Sequence, residues 1–473
     1  MLRSSTTHAA MKLLILSASL CLTFSLFSSF TSLTRAEEQT DCPPNIVLIM
    51  IDDLAWMDLA VQGNPLLDTP NIDRLATQGV RMTDAYAAAP VCSPTRASIM
   101  TGQAPARLRI TTHIPDRHQP EPCTLLSAET IDRLPLESVT IAERLKSAGY
   151  ATAFLGKWHL AGSGSGDENF FPDRQGFDIN LGGNGWGGPP SFFAPYEFPN
   201  VKSKTDDEYL PDRLADEAID FMTEKQDVPF MMFLWNYTVH WPVAAKPDVA
   251  AKYADRTELV NTEYGAMVEC MDQAIGRVLD AIDELELTDD TLLIFTSDNG
   301  GYDGVTSNLP LRKSKGYLYE GGIRVPMIVR WPGRIEPGEV CDTPVVSTDI
   351  YPTILDAVGL EPIEDKPLDG VSLLPLWTDN VEPDRESICF HFPNYAWHCE
   401  NRLGSAIRSG DFKLIHWFDD DSVELYNLRE DLAEENDLAA SMPEKSLELR
   451  AALDQWLEDV DAAMPKYPMG LNR

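Results

Sequence analysis

Basic residues are scarce in this sequence. Lysine and arginine together number 38, against 74 aspartates and glutamates, which gives a formal net charge of −36 over 473 residues. A nucleic-acid-binding protein needs a basic face to neutralise phosphates, so the composition excludes a nucleic-acid partner. We expect most of these carboxylates to lie on solvated helix faces and in surface loops, where their mutual repulsion keeps the protein dispersed.

Long apolar runs are also missing after residue 36, so no stable membrane insertion is expected. The N-terminus carries Arg3, His8 and Lys12, then an apolar stretch over residues 13–30 that several serines interrupt. Small and polar residues follow, ending at Ala36. This pattern is typical of a secretory signal peptide over residues 1–36, and it favours removal over retention as a membrane anchor. The sequence therefore predicts a secreted or periplasmic protein.

Cysteines are few and, after processing, odd in number. Of the eight in the sequence, Cys21 lies in the predicted signal peptide, so seven remain. An odd number in an oxidising compartment leaves at least one thiol without a disulfide partner. Cys389 and Cys399 are close enough in sequence to form a bridge, although spacing alone does not assign connectivity.

Apolar β-branched segments alternate with helical patterns through the first three quarters of the chain. This alternation predicts an α/β fold, with a large mixed, mostly parallel sheet sandwiched by helices. Strands are predicted at 45–51, 150–155, 230–235 and 292–296, and helices at 70–77, 141–147, 212–223 and 263–285.

The texture of the sequence changes near residue 360, where several prolines interrupt the chain. Short strands are predicted beyond it at 388–392, 412–417 and 423–428, with a helix at 445–460. These elements predict a smaller C-terminal antiparallel sheet that packs against a helix. We therefore predict an N-terminal catalytic α/β domain over residues 43–360 and a C-terminal subdomain over residues 361–473.

Polar residues follow four of the predicted strands at the point where each one ends. In open α/β sheets ligands bind beyond the carboxyl ends of the strands, so these positions are the candidates for chemistry. They are Asp52-Asp53, Gly156-Lys157-Trp158-His159, Asn236-Tyr237-Thr238-Val239-His240 and Ser297-Asp298-Asn299-Gly300.

Two of these strand ends bring together oxygen donors that suit a hard cation. Asp52, Asp53, Asp298 and Asn299 would offer the carboxylate and amide oxygens that Ca²⁺ or Mg²⁺ prefers. Paired cysteines and His-rich spacing are absent from these segments, which speaks against a structural zinc site. A single Asp-Asp pair is more often a turn or a helix cap, but two such pairs at neighbouring strand ends favour a metal site.

Cys92 is predicted to lie at a helix N-terminus, with Ser93 as the N-cap and Pro94 at the first helical position. Such a terminus attracts anions, and Arg96 in the first turn adds a fork-shaped cation. The alternatives are an ordinary buried thiol, one half of a disulfide, or a cysteine that acts directly as a nucleophile.

The segment Cys92-Ser93-Pro94-Thr95-Arg96, followed by Ala97-Ser98-Ile99-Met100-Thr101-Gly102, resembles the maturation motif of the type I sulfatase family. Further segments are similar to that family and extend the resemblance over roughly residues 43–440. They are the four strand ends above, His240-Trp241-Pro242, Lys315-Gly316, Glu320-Gly321-Gly322-Ile323-Arg324 and Glu424-Leu425-Tyr426-Asn427-Leu428.

The resemblance implies that Cys92 is oxidised to formylglycine by a maturing enzyme and that one Ca²⁺ binds the hydrated aldehyde. The metal ligands implied are Asp52, Asp53, Asp298, Asn299 and the modified Cys92. The implied roles are proton acceptor in the attack for Asp298, hydrate binding for Arg96, sulfate binding for Lys157 and Lys315, leaving-group protonation for His240 or Lys315, and deprotonation of the second hydroxyl for His159. That second hydroxyl lets the sulfated intermediate collapse without attack by water.

The sequence departs from the family in the segment Arg312-Lys313-Ser314-Lys315-Gly316, where Lys313 replaces a glycine. Lys315 keeps its place before Gly316 and is assigned the sulfate contact, although Lys313 could compete. Two other functions stay open. One is a phosphatase or phosphonate-ester hydrolase of the same superfamily, which would need more metal ligands than eight histidines readily supply. The other is a catalytically silent secreted glycan-binding protein.

The substrate is predicted to be a sulfated carbohydrate, with aryl sulfates as the other class. Residues 182–199 contain Trp186, Phe192, Phe193 and Tyr196 among glycines and prolines. This segment could stack on sugar rings or could be a packed surface loop. Trp158 and Trp241 are interpreted as packing residues.

Overall fold

A computed structural model describes residues 43–115, 123–397 and 400–468, so the predicted signal peptide lies outside the described residues. The strands are β1 (Asn45–Ile51), β2 (Val80–Met82), β3 (Ala85–Tyr86), β4 (Ala151–Gly156), β5 (Ile179–Leu181), β6 (Phe230–Trp235), β7 (Thr291–Ser297), β8 (Met327–Arg330), β9 (Glu339–Cys341), β10 (Val345–Val346), β11 (Ile388–Phe392), β12 (Gly404–Ser409), β13 (Phe412–Trp417) and β14 (Val423–Asn427). The α-helices are α1 (Pro70–Thr77), α2 (Cys92–Thr101), α3 (Pro105–Leu108), α4 (Ile141–Ser147), α5 (Leu210–Lys225), α6 (Pro247–Tyr253), α7 (Thr262–Glu284), α8 (Glu320–Ile323), α9 (Ile350–Ala357), α10 (Leu374–Asp379) and α11 (Pro443–Asp459).

The main sheet has eight strands in the order β5-β4-β6-β1-β7-β8-β2-β9. Strands β4, β6, β1 and β7 are parallel neighbours, with Met50 beside Trp235 and Ile51 beside Ser297. Strand β8 runs antiparallel to both β7 and β2, which makes the sheet mixed. The predicted mixed, mostly parallel sheet is confirmed.

Alternate side chains of β1 enter two separate cores, one on each face of the sheet. Val47, Ile49 and Ile51 pack with the apolar sides of α1, α5 and α7. Ile46, Leu48 and Met50 pack with residues of α2, α4 and α9 on the opposite face. Because a strand buried on both faces must be apolar throughout, β1 reads as a continuous apolar run in the sequence.

The C-terminal strands form an antiparallel sheet in the order β11-β12-β13-β14. One face of this sheet packs on α11 through Leu449 and Leu453. The other face contacts residues of the N-terminal part of the chain such as Tyr86 and Val91. The predicted C-terminal sheet and helix are therefore confirmed. Strand β12 was not predicted from the sequence, and the boundary of the subdomain at residue 360 stays a prediction.

The state of the cysteines corrects the expected pairing of Cys389 with Cys399. Cys389 carries a free thiol, as do Cys92, Cys270 and Cys341, so the bridge considered between Cys389 and Cys399 is wrong. Cys123 is in a disulfide. Among the described residues, none of the helices combines the length and the apolar character that crossing a bilayer requires.

Candidate active site

The candidate site lies where β4, β6, β1 and β7 end, at one edge of the main sheet. All four strand ends singled out in the sequence belong to these adjacent parallel strands, so their polar residues meet. Backbone hydrogen bonds tie the ends together, from Asp52 N to Thr238 O at 2.9 Å and from Asp298 N to Ile51 O at 3.2 Å. The sheet itself therefore sets the spacing of the site.

Asp52 lies at the centre of this edge and is completely buried. Lys157 Nζ donates to both of its carboxylate oxygens, at 2.9 and 2.7 Å, and the Arg96 guanidinium lies 3.7 Å away. Burial nevertheless raises the pKa of Asp52 to about 8, because Lys157 only partly offsets the lost hydration and the carboxylates of Asp298 and Asp53 oppose ionisation. This position would ionise readily only with a further positive charge beside it.

Asp53 pairs with a different lysine. Lys315 Nζ donates to its two oxygens at 2.6 and 2.8 Å, and His240 Nε2 lies 3.8 Å from Oδ2. Burial alone would raise the pKa of Asp53, but the charge and hydrogen bonds of Lys315 outweigh it and lower the pKa below the ordinary range. Asp53 therefore stays ionised.

Arg96 binds and orients the carboxylate of Asp298. Its Nε and one terminal nitrogen donate to Asp298 Oδ2 at 2.9 and 2.7 Å, and its other terminal nitrogen donates to the Lys157 carbonyl at 2.5 Å. Arg96 is fully buried, and its Cζ lies 5.4 Å from the centroid of the Trp235 ring. A two-point contact of this kind holds both side chains in one orientation.

Cys92 is the first residue of α2, so its side chain lies at the helix N-terminus. The predicted cap was wrong by two residues, because Val91 is the N-cap and Ser93 is already helical. Ser93 Oγ instead donates to the His159 carbonyl at 3.0 Å and accepts from Ile114 N at 3.1 Å. Burial raises the pKa of the Cys92 thiol, which disfavours its action as a thiolate nucleophile.

His159 connects the helix terminus to the rest of the site. Its Nε2 contacts the carbonyl oxygen of Ile114, and its Nδ1 lies 3.3 Å from Cys92 Sγ. A carbonyl can only accept, so we assign the proton to Nε2 and a lone pair to Nδ1. Burial lowers the pKa of His159 well below its ordinary value, which keeps the imidazole neutral. The residue thus presents a basic nitrogen to position 92.

His240 is also held neutral, since burial lowers its pKa to about 3. Its Nδ1 donates to the Trp241 carbonyl at 2.7 Å, which leaves Nε2 facing Asp53. Lys315 is buried, whereas Lys313 is exposed, with its Nζ 5.0 Å from the centroid of the Tyr317 ring. The structure places Lys315, rather than Lys313, against the acidic cluster.

The donor set fits a hard cation. Asn299 Nδ2 donates to Asp53 Oδ1 at 2.8 Å, yet Asn299 Oδ1 is buried without any hydrogen-bond partner. A buried amide oxygen left unpaired is costly, and a cation would satisfy it. Ligand atoms of Asp52, Asp53 and His240 also lie within 4.8 Å of one another. Oxygen donors of this kind suit Ca²⁺ or Mg²⁺.

A cleft of about 810 Å³ opens onto these groups. Cys92, Asp53, His159, His240 and Lys315 line it. Sequence reasoning did not assign the other lining residues to the site, although Trp241 and Pro242 follow His240 in a family-like segment and Gly187, Gly188 and Pro189 lie in the aromatic loop. The rest are distant in the chain and carry no motif: His113, Ile114, Pro115, Tyr302, Gly304, Val305 and Trp397.

The aromatic loop predicted to stack on sugars instead packs into the protein. Phe192 and Tyr196 are almost fully buried, and Trp186 and Phe193 pack against the same core. Trp158 is buried as expected, but the interpretation of Trp241 as a packing residue is wrong, since it is 65% exposed. The packed-loop alternative for residues 182–199 therefore holds for these four side chains.

Comparison with known proteins gives concordant matches. The family model for sulfatases matches residues 44–360, and the model described as N-sulphoglucosamine sulphohydrolase, C-terminal, matches residues 313–463. The steryl-sulfatase of Rattus norvegicus is 33% identical over 445 residues, covering 76% of this chain and 75% of the rat protein. Arylsulfatase A of Homo sapiens is 35% identical over 407 residues, covering 80% of this chain and 75% of the human protein.

Solved structures agree in fold. The crystal structure of Ps i-CgsB in complex with k-i-k-neocarrahexaose superposes with a TM-score of 0.76 at 29% identity, covering 88% of this chain and 93% of that one.

Proposed function

This chain belongs to the type I sulfatase family and hydrolyses sulfate esters, and we propose that its substrate is a sulfated carbohydrate cleaved through a formylglycine made from Cys92. We also propose that residues 1–36 direct the chain to a secreted or periplasmic location, where it acts after maturation by a separate enzyme. The carbohydrate is supported by the Ps i-CgsB complex, whose ligand is a neocarrahexaose.

The observation that carries the proposal is the placement of Cys92. Its side chain lies at a helix N-terminus, faces a neutral histidine at 3.3 Å and opens into the cleft. A buried thiol that stays protonated would be a poor nucleophile at this position. Oxidation at Cβ with loss of sulfur, by a maturing enzyme and its oxidant, would place an aldehyde at the same point. Its hydrate would carry one hydroxyl to attack sulfur and a second to expel sulfate.

We propose that Asp52, Asp53, Asp298 and Asn299 hold one Ca²⁺ beside position 92. The unpaired Asn299 Oδ1 and the raised pKa of Asp52 both support a positive charge there. When bound, the cation lowers the pKa of an adjacent hydroxyl and neutralises negative charge. Lys157 and Lys315, which now pair with Asp52 and Asp53, would then be available to the sulfate oxygens.

The residues of the first step are assigned from the family resemblance, and their positions support most of these roles. Arg96 is locked onto Asp298 and would fix the hydrate at the start of α2. Asp298 would accept the proton of the attacking hydroxyl, while Lys157 and Lys315 stabilise charge on the sulfate oxygens. Lys315, which lines the cleft, would protonate the departing alcohol, whereas His240 is neutral and directs its one N–H at the Trp241 carbonyl.

The second step belongs to His159. Its Nδ1 lone pair faces position 92, so it can accept the proton of the remaining hydroxyl. Because its Nε2–H is held by the Ile114 carbonyl, the ring is already oriented for this transfer. Sulfate then leaves and the aldehyde returns, without attack by water on an ester.

A panel of sulfate esters tests the substrate class. Full-length matured protein would be incubated with 4-nitrophenyl sulfate and with sulfated mono- and oligosaccharides, and free sulfate would be measured by ion chromatography. We expect release from at least one saccharide with a kcat/KM above that for 4-nitrophenyl sulfate. Hydrolysis of the aryl sulfate alone would exclude the carbohydrate assignment.

A further inference from the structure

The cleft carries an exposed tryptophan next to His240. Trp241 is 65% exposed, and it is the only exposed member of the ten tryptophans, all of which lie among the described residues. It lines the cleft directly after His240. Leaving so large an apolar side chain in water is unfavourable by about 25 cal/mol per Å² of apolar surface, so a ligand that covers it gains binding energy.

The backbone beneath this indole is fixed. His240 Nδ1 donates to the Trp241 carbonyl at 2.7 Å, which ties the tryptophan to the histidine. Gly188 packs directly on both residues, because a Cβ at that position would lie 2.9 Å from the Trp241 carbonyl oxygen and 3.0 Å from His240 Nδ1. A larger residue at position 188 would push the pair apart. The indole is therefore exposed to solvent, while the backbone that carries it is held in place.

A second aromatic group lines the same cleft. The rings of Tyr302 and Trp397 meet edge to face at 5.8 Å, and the indole of Trp397 would be 3.2 Å from a Cβ at Gly316. Trp397 follows β11 in the C-terminal sheet region, whereas Gly316 follows the site lysine Lys315. The C-terminal part of the chain thus contributes a ring to the cleft.

Most of the described residues that line the cleft carry no charge. Apart from Asp53, Cys92, His159, His240 and Lys315, they are His113 and glycine, proline, aliphatic or aromatic residues. The contact that Trp241 offers to a ligand is therefore an apolar one.

We infer that Trp241 is a specificity-determining residue that stacks on a sugar ring of the substrate. The inference rests on the proposed carbohydrate substrate and names the residue that would contact its sugar. A sugar ring presents a flat, weakly polar face of C–H groups to an aromatic ring, and it needs no countercharge there. The sulfate that is cleaved would be left to Lys157 and Lys315.

Kinetics of W241A test this assignment, with W241F as the conservative variant. L447A is the matched control, because Leu447 is 70% exposed on α11 and does not line the cleft. Each matured protein would be assayed on the best sulfated disaccharide of the panel and on 4-nitrophenyl sulfate. Thermal unfolding would confirm that the variants fold.

We expect W241A to raise KM for the sulfated disaccharide about tenfold, which corresponds to about 1.4 kcal/mol, with kcat nearly unchanged. W241F should recover part of the loss, L447A should match wild type, and KM for 4-nitrophenyl sulfate should change less. An unchanged KM in W241A would overturn the inference while the sulfatase assignment stands. A wild-type protein that cleaves no saccharide would remove the proposed substrate instead.

Discussion

His159 contacts the Ile114 carbonyl through Nε2 and directs Nδ1 at Cys92 Sγ, 3.3 Å away. This relationship fixes the tautomer of a buried, neutral imidazole and aims its lone pair at position 92. It supports the proposed role of His159 in the step that releases sulfate, in which His159 would accept the proton of the second hydroxyl at position 92.

His159→Gln should therefore separate the two halves of the reaction. We expect one equivalent of alcohol to appear in a burst, followed by turnover reduced about 10²–10⁴-fold. Intact-protein mass spectrometry should show sulfate retained on the chain. His391→Gln, the same change at another buried histidine, should keep full turnover. Slow release of alcohol in the first turnover of His159→Gln would contradict the assignment.

Calcium should stabilise the folded protein through Asn299. After treatment with a chelator, wild type should unfold at a lower temperature and recover when Ca²⁺ is added, because binding at 100 times Kd contributes about 2.7 kcal/mol. Asn299→Leu should lose most of this response. Asn394→Leu is the control, since Asn394 is buried with both amide atoms paired to Thr111 and Ala128. A wild-type melting temperature independent of Ca²⁺ would exclude the proposed site.

The contact between the large sheet and the C-terminal sheet contains a buried ion network. Lys413 Nζ donates to Glu320 at 2.9 Å and to Glu434 at 2.8 Å, and all three side chains are inaccessible to solvent. Lys413→Met leaves the buried Glu434 without its cation, whereas Glu320 keeps Arg324 at 3.2 Å, so the free energy of unfolding should fall by about 3–5 kcal/mol.

Lys146→Met is the matched control for this measurement by urea denaturation. Lys146 pairs with Asp178 at 2.6 Å, but both side chains are more than 40% exposed, at 46% and 43%. A surface pair of this kind contributes at most about 1 kcal/mol. Equal losses in the two variants would contradict a stabilising role for the buried network.

Acid should destabilise the fold partly through His391. Burial lowers its pKa to about 4 from an ordinary value of 6.5, while Ser405 and the Ala463 carbonyl hold the ring. Between pH 6.5 and 4 the unfolded chain binds a proton that the folded protein does not, so stability falls as the pH falls through this window. The contribution of this one group is on the order of 3 kcal/mol.

Urea denaturation of wild type and His391→Gln at pH 7 and pH 4.5 measures the contribution of His391 to the free energy of unfolding. The variant should lose less stability than wild type over that interval, because its side chain does not titrate. Parallel losses in the two proteins would show that His391 does not carry the effect.

Much of the site could be predicted because it depends on local patterns. Strand β1 was predicted with its observed bounds, since a seven-residue run of Asn45 and six apolar residues, flanked by Pro44 and Asp52, indicates a buried strand. The polar residues after four strands met because adjacent parallel strands end at one edge. The pairing of Lys157 with Asp52 and of Lys315 with Asp53 was not predicted, because it depends on side-chain orientation across the sheet.

The residues that sequence reasoning misread are those whose environment is set by distant contacts. Strand β12 contains glycine, serines and Arg408, which have low strand propensity, and it forms because β11 and β13 pair on both sides. Trp241 and Phe192 look alike in sequence as aromatics near proline. One is exposed in the cleft and the other is buried, because Phe192 is held by the core around α5.

The most direct test of the account is mass spectrometry of the peptide containing residue 92, taken from catalytically active native protein. We predict that this residue carries an aldehyde in place of the thiol, and that the modified fraction scales with specific activity across preparations. Cys92→Ser should be folded and should lack multiple turnover in the same assay. Full activity in protein whose residue 92 is entirely unmodified cysteine would contradict the central claim.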